Sequence, residues 1–144
     1  MTPGCPDAAV VRRHLLAIDA ALQQLRRHQG RPEAELSRDP DRLWAVERGL
    51  QLCAQNALDV STHLAAASGR DVADYASAID TLASLGILPE DFTRRFRGIA
   101  GFRNVIVHGY LDLDLTLVHG LLESGLDDFV TFARHVNAYL DTLS

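Results

Sequence analysis

An all-α bundle of about five helices is the fold class this chain predicts, and three features carry it. Alanine and leucine dominate the apolar residues while valine and isoleucine are modest in number, a balance that favours helices. Apolar residues recur three and four positions apart through each long segment, the period of a helix with one buried face. Alternation of the kind a strand needs occurs once, in L-D-L-D-L from Leu111 to Leu115. With no second such segment to pair with, that stretch reads as a linker into the last helix.

Pro6 and Asp7 open the first helix, which runs to about His28 with Val11, Leu15, Ile18, Leu22 and Leu25 as its stripe. Gly30, Pro32 and Pro40 make the stretch from Gln29 to Pro40 a loop, with Glu33 and Glu35 as solvated surface. The second helix starts near Asp39 or Asp41 and lasts to about Ser68, where Gly69 stops it. Leu43, Val46, Leu50, Cys53, Ala57, Val60, Leu64 and Ala67 form a heptad-like seam suited to a bundle or to a dimer. Its other side carries Glu47, Gln51, Gln55, Asn56, Asp59 and His63, a polar line that can face the arginine-rich helix downstream. Asp59 and His63 stand one turn apart, a spacing that serves a metal, an oriented imidazole or an ordinary hydrogen bond. Asp71 and Asp74 can cap a short third helix from Asp74 to Leu85, ended by Gly86. Leu88-Pro89-Glu90-Asp91 starts the fourth, with proline and acids in its first turn. The last helix spans about Asp114 to Leu143, loosened by Gly120 and Gly125.

At 144 residues the chain suits a single domain over 1–144. Its net charge of −5 argues against sequence-independent binding of long duplex nucleic acid, which requires neutralised phosphates. Every basic residue is arginine, most simply a codon bias, yet Arg94, Arg95, Arg97 and Arg103 form a local basic site. Cys5 and Cys53 are too few for a disulfide framework or a zinc site, and Cys53 lies on the apolar seam. No apolar run approaches membrane-spanning length and the N-terminus lacks the regions of a signal peptide, so a cytoplasmic protein without a membrane partner is expected.

The chemistry concentrates between Phe102 and Tyr110, F-R-N-V-I-V-H-G-Y. On an ideal helix, with Arg103 at zero, Asn104 lies at roughly 100° and His108 at roughly 140°. Ile99, Phe102, Val105 and Ile106 fall on the opposite arc, so one side is built for burial and the other carries a guanidinium, an amide and an imidazole. Arg97 and Arg94 extend the polar side backwards. Gly109 suits the position past a helix end, placing His108 in a last turn whose dipole favours the imidazolium. Such a polar face is, on its own, ordinary surface.

The spacing R-N-x-x-x-H-x-Y resembles the signature of HEPN-domain proteins, and most of all that of the HepT-type toxins of two-component toxin–antitoxin systems. Similar segments include A-V-E-R-G-L-Q-L from Ala45, D-V-S-T-H-L from Asp59, L-G-I-L from Leu85 and the run from Arg103 through L-D-L-D. The first helix and the following loop match more loosely. The resemblance implies a metal-independent endoribonuclease that works as a homodimer, needs no cofactor or metal, and takes transfer or messenger RNA. Attack by the RNA's own 2′-oxygen needs a base, a cation at the phosphoryl oxygens and an acid at the leaving oxygen. His108 and Arg103 are the implied catalytic residues, with Asn104 and Arg97 in support. It also implies that Tyr110 receives AMP from a nucleotidyltransferase (MNT) antitoxin, whose added charge would repel RNA. A competing reading keeps the fold without cleavage, as a nucleotide-binding subunit of a nucleotidyltransferase complex.

Overall fold

In the computed structural model the described residues are 4–108 and 114–143, the side chains of Val107 and His108 excepted. Asp7 opens α1 (Ala8–Arg26) by accepting the N–H groups of Ala9 at 3.1 Å and Val10 at 3.3 Å. The expected stripe of Val11, Leu15, Ile18, Leu22 and Leu25 is buried. Its chief neighbour is α3 (Pro40–Ala67), the long central helix, entered through an Asp39 side chain that accepts the N–H of Arg42 at 3.2 Å. Val46, Leu50, Cys53, Ala57, Val60 and Leu64 of the seam are buried within this one chain. The two helices meet closely at Gly49. A Cβ there would lie 2.6 Å from Cδ2 of Leu25, so any other residue would have to displace that buried leucine side chain.

Two expectations are corrected here. The stretch expected to be a loop between α1 and α3 contains a short helix, α2 (Glu33–Arg38), anchored by the fully buried Leu36. Its prolines do not exclude helix, because Pro32 and Pro40 each stand at a helix start, where a missing N–H costs nothing. Glu33 and Glu35 are also less solvated than expected. Glu33 accepts from Thr116 at 3.3 Å, and Glu35 lies 4.0 Å from both Arg31 and Arg42.

The second correction concerns the helix that carries the motif. It is two helices, α5 (Glu90–Phe96) and α6 (Ile99–His108), broken at Arg97–Gly98. Glycine weakens a helix interior, and the aromatic core fixes the direction in which α5 ends. Phe96 stacks on Phe92 at 4.9 Å and on Phe132 at 5.0 Å, and meets Phe129 edge-on at 5.6 Å. Ahead of α5, α4 (Tyr75–Ser84) is capped by Asp74, and Gly86 at φ +75° turns the chain out of it.

The final segment is α7 (Leu115–Gly120), a π-helical turn over Leu121–Gly125, and α8 (Leu126–Asp141). The π turn lies where the two glycines were expected to loosen one continuous helix. The Leu122 carbonyl there accepts from Gln29 Nε2 at 2.8 Å, and Glu123 accepts the Gly30 N–H at 2.9 Å. This clasps the α1–α2 turn to the far end of the chain. Asp114 caps α7 by accepting the Leu117 N–H at 3.1 Å. The rest of the expected linker, residues 111–113, lies outside the described residues. No helix among the described residues is long and apolar enough to cross a membrane.

Candidate active site

Breaking the motif helix at Gly98 separates the directions of the arginines before and after it. Arg97 turns to α4, where Nε and Nη2 each donate to the Asp80 carboxylate at 3.0 Å. That two-point bond holds the guanidinium further into its charged range than usual. Arg94 pairs with Asp91 one turn back. Arg95 pairs with Asp128 of α8 at 3.1 Å and lies over the Phe92 ring. The basic site expected from Arg94, Arg95, Arg97 and Arg103 is therefore divided, and three of its four charges are matched by carboxylates.

Arg103 is treated differently. It is half-buried, and its Nε donates to Gln55 Oε1 of α3 at 2.8 Å. Gln55 is itself held from the other side, its Nε2 donating to Asp59 Oδ1 at 2.8 Å. The Tyr75 ring lies under the guanidinium, 5.5 Å from Cζ, and its hydroxyl is 3.5 Å from Gln55 Nε2. Nη1 donates to Asn104 Oδ1 at 3.1 Å, which brings the first two polar residues of the motif together. Of the polar line of α3, Gln55 meets the arginine of α6 as expected, with Asp59 behind it, while Asn56 and His63 turn to His14 and Asp7 at α1. An amide rather than a carboxylate touches Arg103, so the guanidinium is oriented without a formal charge consuming its own.

His108 is the last residue of α6, and its side chain is not among those described. Tyr110 lies outside the described residues. Along the continuous turns of α6, Asn104 and His108 are four residues apart, the spacing of neighbours on one helix face. Asp59 and His63 do not form a pair. Asp59 serves Gln55, while His63 Nε2 accepts the Asp7 N–H at 3.1 Å at the start of α1. Among the described residues no group of three or more His, Cys, Asp or Glu side chains is arranged to hold a metal ion.

Two members of this arrangement were not singled out from sequence. Gln55 was one of six polar residues on the line, and Tyr75, four residues before the buried Ile79, has the spacing of an apolar position of α4. Only the register of α6 against α3 distinguishes them, and spacing within one helix does not carry that register.

Known proteins share both the sequence and the fold. The chain matches the family described as ribonuclease HepT-like over residues 18–136. A tRNA nuclease HepT from Aphanizomenon flos-aquae is 31% identical over 100 residues, 68% of this chain and 67% of that protein. The fold is that of the tri-AMPylated Shewanella oneidensis HEPN toxin solved in complex with its MNT antitoxin. The two superpose with a TM-score of 0.80 at 19% identity, covering 90% of this chain and 97% of that one. YutE of Bacillus subtilis, a cytosolic protein of unknown function, gives 0.82 at 17% identity, covering 95% and 92%. The motif, the helix order and the family match over most of its length agree: this chain belongs to the ribonuclease HepT-like family.

Proposed function

We propose that this chain is the toxin of a toxin–antitoxin pair, an endoribonuclease that cleaves RNA without a metal ion. The observation that carries the reading is the mounting of Arg103. An amide of α3 fixes its Nε, an aromatic ring supports its plane, and Asn104 holds Nη1, so the guanidinium is pre-oriented within the R-N-x-x-x-H-x-Y motif. Support comes from the relative named a tRNA nuclease and from the HEPN toxin solved with its MNT antitoxin.

In this reading the phosphate to be cleaved binds at Arg103, whose planar fork matches two phosphoryl oxygens and stabilises their charge as the phosphorus becomes pentacoordinate. Asn104 positions the guanidinium and the phosphate. His108 takes the proton from the attacking 2′-hydroxyl, or gives one to the leaving 5′-oxygen, since imidazole changes charge near neutrality. A homodimer presenting two copies of α6 to one cleft supplies both proton roles. Arg97, the other supporting residue that the resemblance implies, is bound at two points to Asp80, so any part it takes requires that bridge to open.

Tyr110 is the proposed control point. An MNT antitoxin transfers AMP from ATP to its hydroxyl, with pyrophosphate leaving, and the added phosphate charge two residues from His108 excludes RNA. Expression without an antitoxin tests the whole reading. Wild type arrests growth, Arg103→Ala does not, and co-expression of a cognate MNT protein restores growth with an AMP adduct on the Tyr110 peptide. Growth arrest unchanged by Arg103→Ala would overturn it.

A further inference from the structure

On the opposite flank of α3, far in sequence from the motif, Arg42 is buried to 95% and poorly matched. One nitrogen, Nη2, donates to the His28 carbonyl at the end of α1. The other two, Nε and Nη1, have no hydrogen-bond acceptor among the described residues. The nearest carboxylate, Glu35, stands 4.0 Å from Nη1, beyond hydrogen-bond reach. A buried guanidinium with two unused N–H donors is expensive, and such a group persists most readily where something else supplies the acceptors.

The surroundings indicate what that is. Arg42 lines an open cavity of about 360 Å³ with Arg27, His28, Arg31, Asp39, Asp41 and Ala45. Three arginines line it, Arg31 with its Nε 4.0 Å from Glu35. Asp39 is occupied in capping α3, and among the described residues the Arg27 side chain bonds a neutral amide alone, Gln24 Oε1 at 3.1 Å. His28 registers the resulting positive field: burial and then the charges of Arg42, Arg31 and Arg27 hold its imidazole below the usual pKa. The turn that presents Arg31 is also fixed, since its carbonyl accepts from His119 at 2.9 Å and Gly30 is tied to Glu123.

The geometry points to a phosphate-binding site at the α1–α2–α3 corner, in which Arg27 and Arg31 grip the anion at the mouth and Arg42 meets it from behind. A small shift of the Arg42 side chain toward the cavity gives Nε and Nη1 the acceptors they lack. The group bound is either free phosphate or a backbone phosphate of RNA. The site is separate from Arg103 and stands whether or not the chain cleaves RNA.

Titration calorimetry with inorganic phosphate at constant ionic strength tests the first source, and anisotropy of a labelled 2′-O-methyl RNA, which lacks the attacking hydroxyl, tests the second. The variants are Arg27→Gln/Arg31→Gln, both exposed, and Asp41→Asn, with Arg134→Gln on α8 as the remote control. Saturable phosphate binding that weakens at least tenfold in the double variant, strengthens in Asp41→Asn and is unchanged in Arg134→Gln supports a free-phosphate site. No phosphate binding, but RNA affinity that falls at least fivefold in the double variant and not in the control, supports a backbone contact. The proposal is overturned when neither ligand distinguishes the double variant from wild type, or when Arg134→Gln loses as much. The Asp41→Asn gain guards against mistaking misfolding for loss of the site.

Discussion

Replacing Gln55 by leucine is the sharpest probe of how Arg103 is held. The side chain keeps nearly its volume, but Arg103 Nε loses its 2.8 Å acceptor and Asp59 its 2.8 Å donor. A hydrogen bond to a charged group contributes about 1.5–3 kcal/mol. Arg103 is half-exposed and keeps the Tyr75 ring and Asn104, so the lower end applies, about 1.5 kcal/mol, or roughly tenfold in rate if the loss falls on the transition state. Single-turnover cleavage of a labelled RNA should therefore slow about tenfold with KM changed less than kcat, while the thermal midpoint moves little. Gln55→Glu should not rescue it, because the new carboxylate would meet Asp59 where an amide N–H had donated. Cleavage by Gln55→Leu at the wild-type rate would show that the α3 amide does not orient Arg103. A loss in KM alone would mean that it merely assists binding.

Four further outcomes follow from the same structure. Burial pushes the Cys53 thiol up to about 12, so iodoacetamide at pH 8 should label the exposed Cys5 once per chain and reach Cys53 only on unfolding, as mass spectrometry would count. Gly49→Ala should destabilise by about 1 kcal/mol, overpacking of about 1–3 kcal/mol being partly offset by helix propensity; Leu25→Ala in the same chain should give a double variant less destabilised than the sum. The Ser77 N–H holds the Asp74 carboxyl below its ordinary value of 3.8. Its capping contribution is therefore complete above that value and lost as pH falls through the lowered one; Asp74→Ala should melt below wild type at pH 7 and with it in strong acid. Arg42→Met should hold or raise the melting temperature in phosphate-free buffer, since a buried charge with two unused donors is replaced by an apolar chain of similar length. A loss of more than about 3 kcal/mol, the scale of breaking a matched buried pair, would show that Glu35 and the His28 carbonyl satisfy Arg42 already.

The stripes of α1 and α3 were legible because burial on one side of a helix imposes its period directly on sequence. Asp74 was legible as a cap beside Asp71, and Asp7 and Asp114 as helix starts, since a short acceptor side chain meets the first free N–H groups, while Asp39 was left open against Asp41. Arg97 was not. Its placement on the His108 side assumed one continuous helix, and the break at Gly98 resets the angle, so that Arg97 meets Asp80 of α4 while Arg103 meets Gln55 of α3. The α2 helix was hidden by prolines that punctuate its ends. Asp59 and His63 had the spacing of a pair, yet Asp59 is taken by Gln55 one turn earlier on the same helix, and His63 by the Asp7 N–H at the start of α1. Arg42 left no trace in the sequence, where an arginine in a first helical turn reads as surface. Contacts between helices decide most of these cases, and periodicity reports only one helix at a time.

The proposed motif chemistry rests on Arg103 and His108 acting without a metal ion. Incubating a labelled RNA pool in excess EDTA with wild type, Arg103→Ala and His108→Ala tests this most directly. Cleavage by wild type alone, leaving 2′,3′-cyclic phosphate ends, is the result the account predicts. Cleavage abolished by EDTA, or retained in either variant, would contradict it.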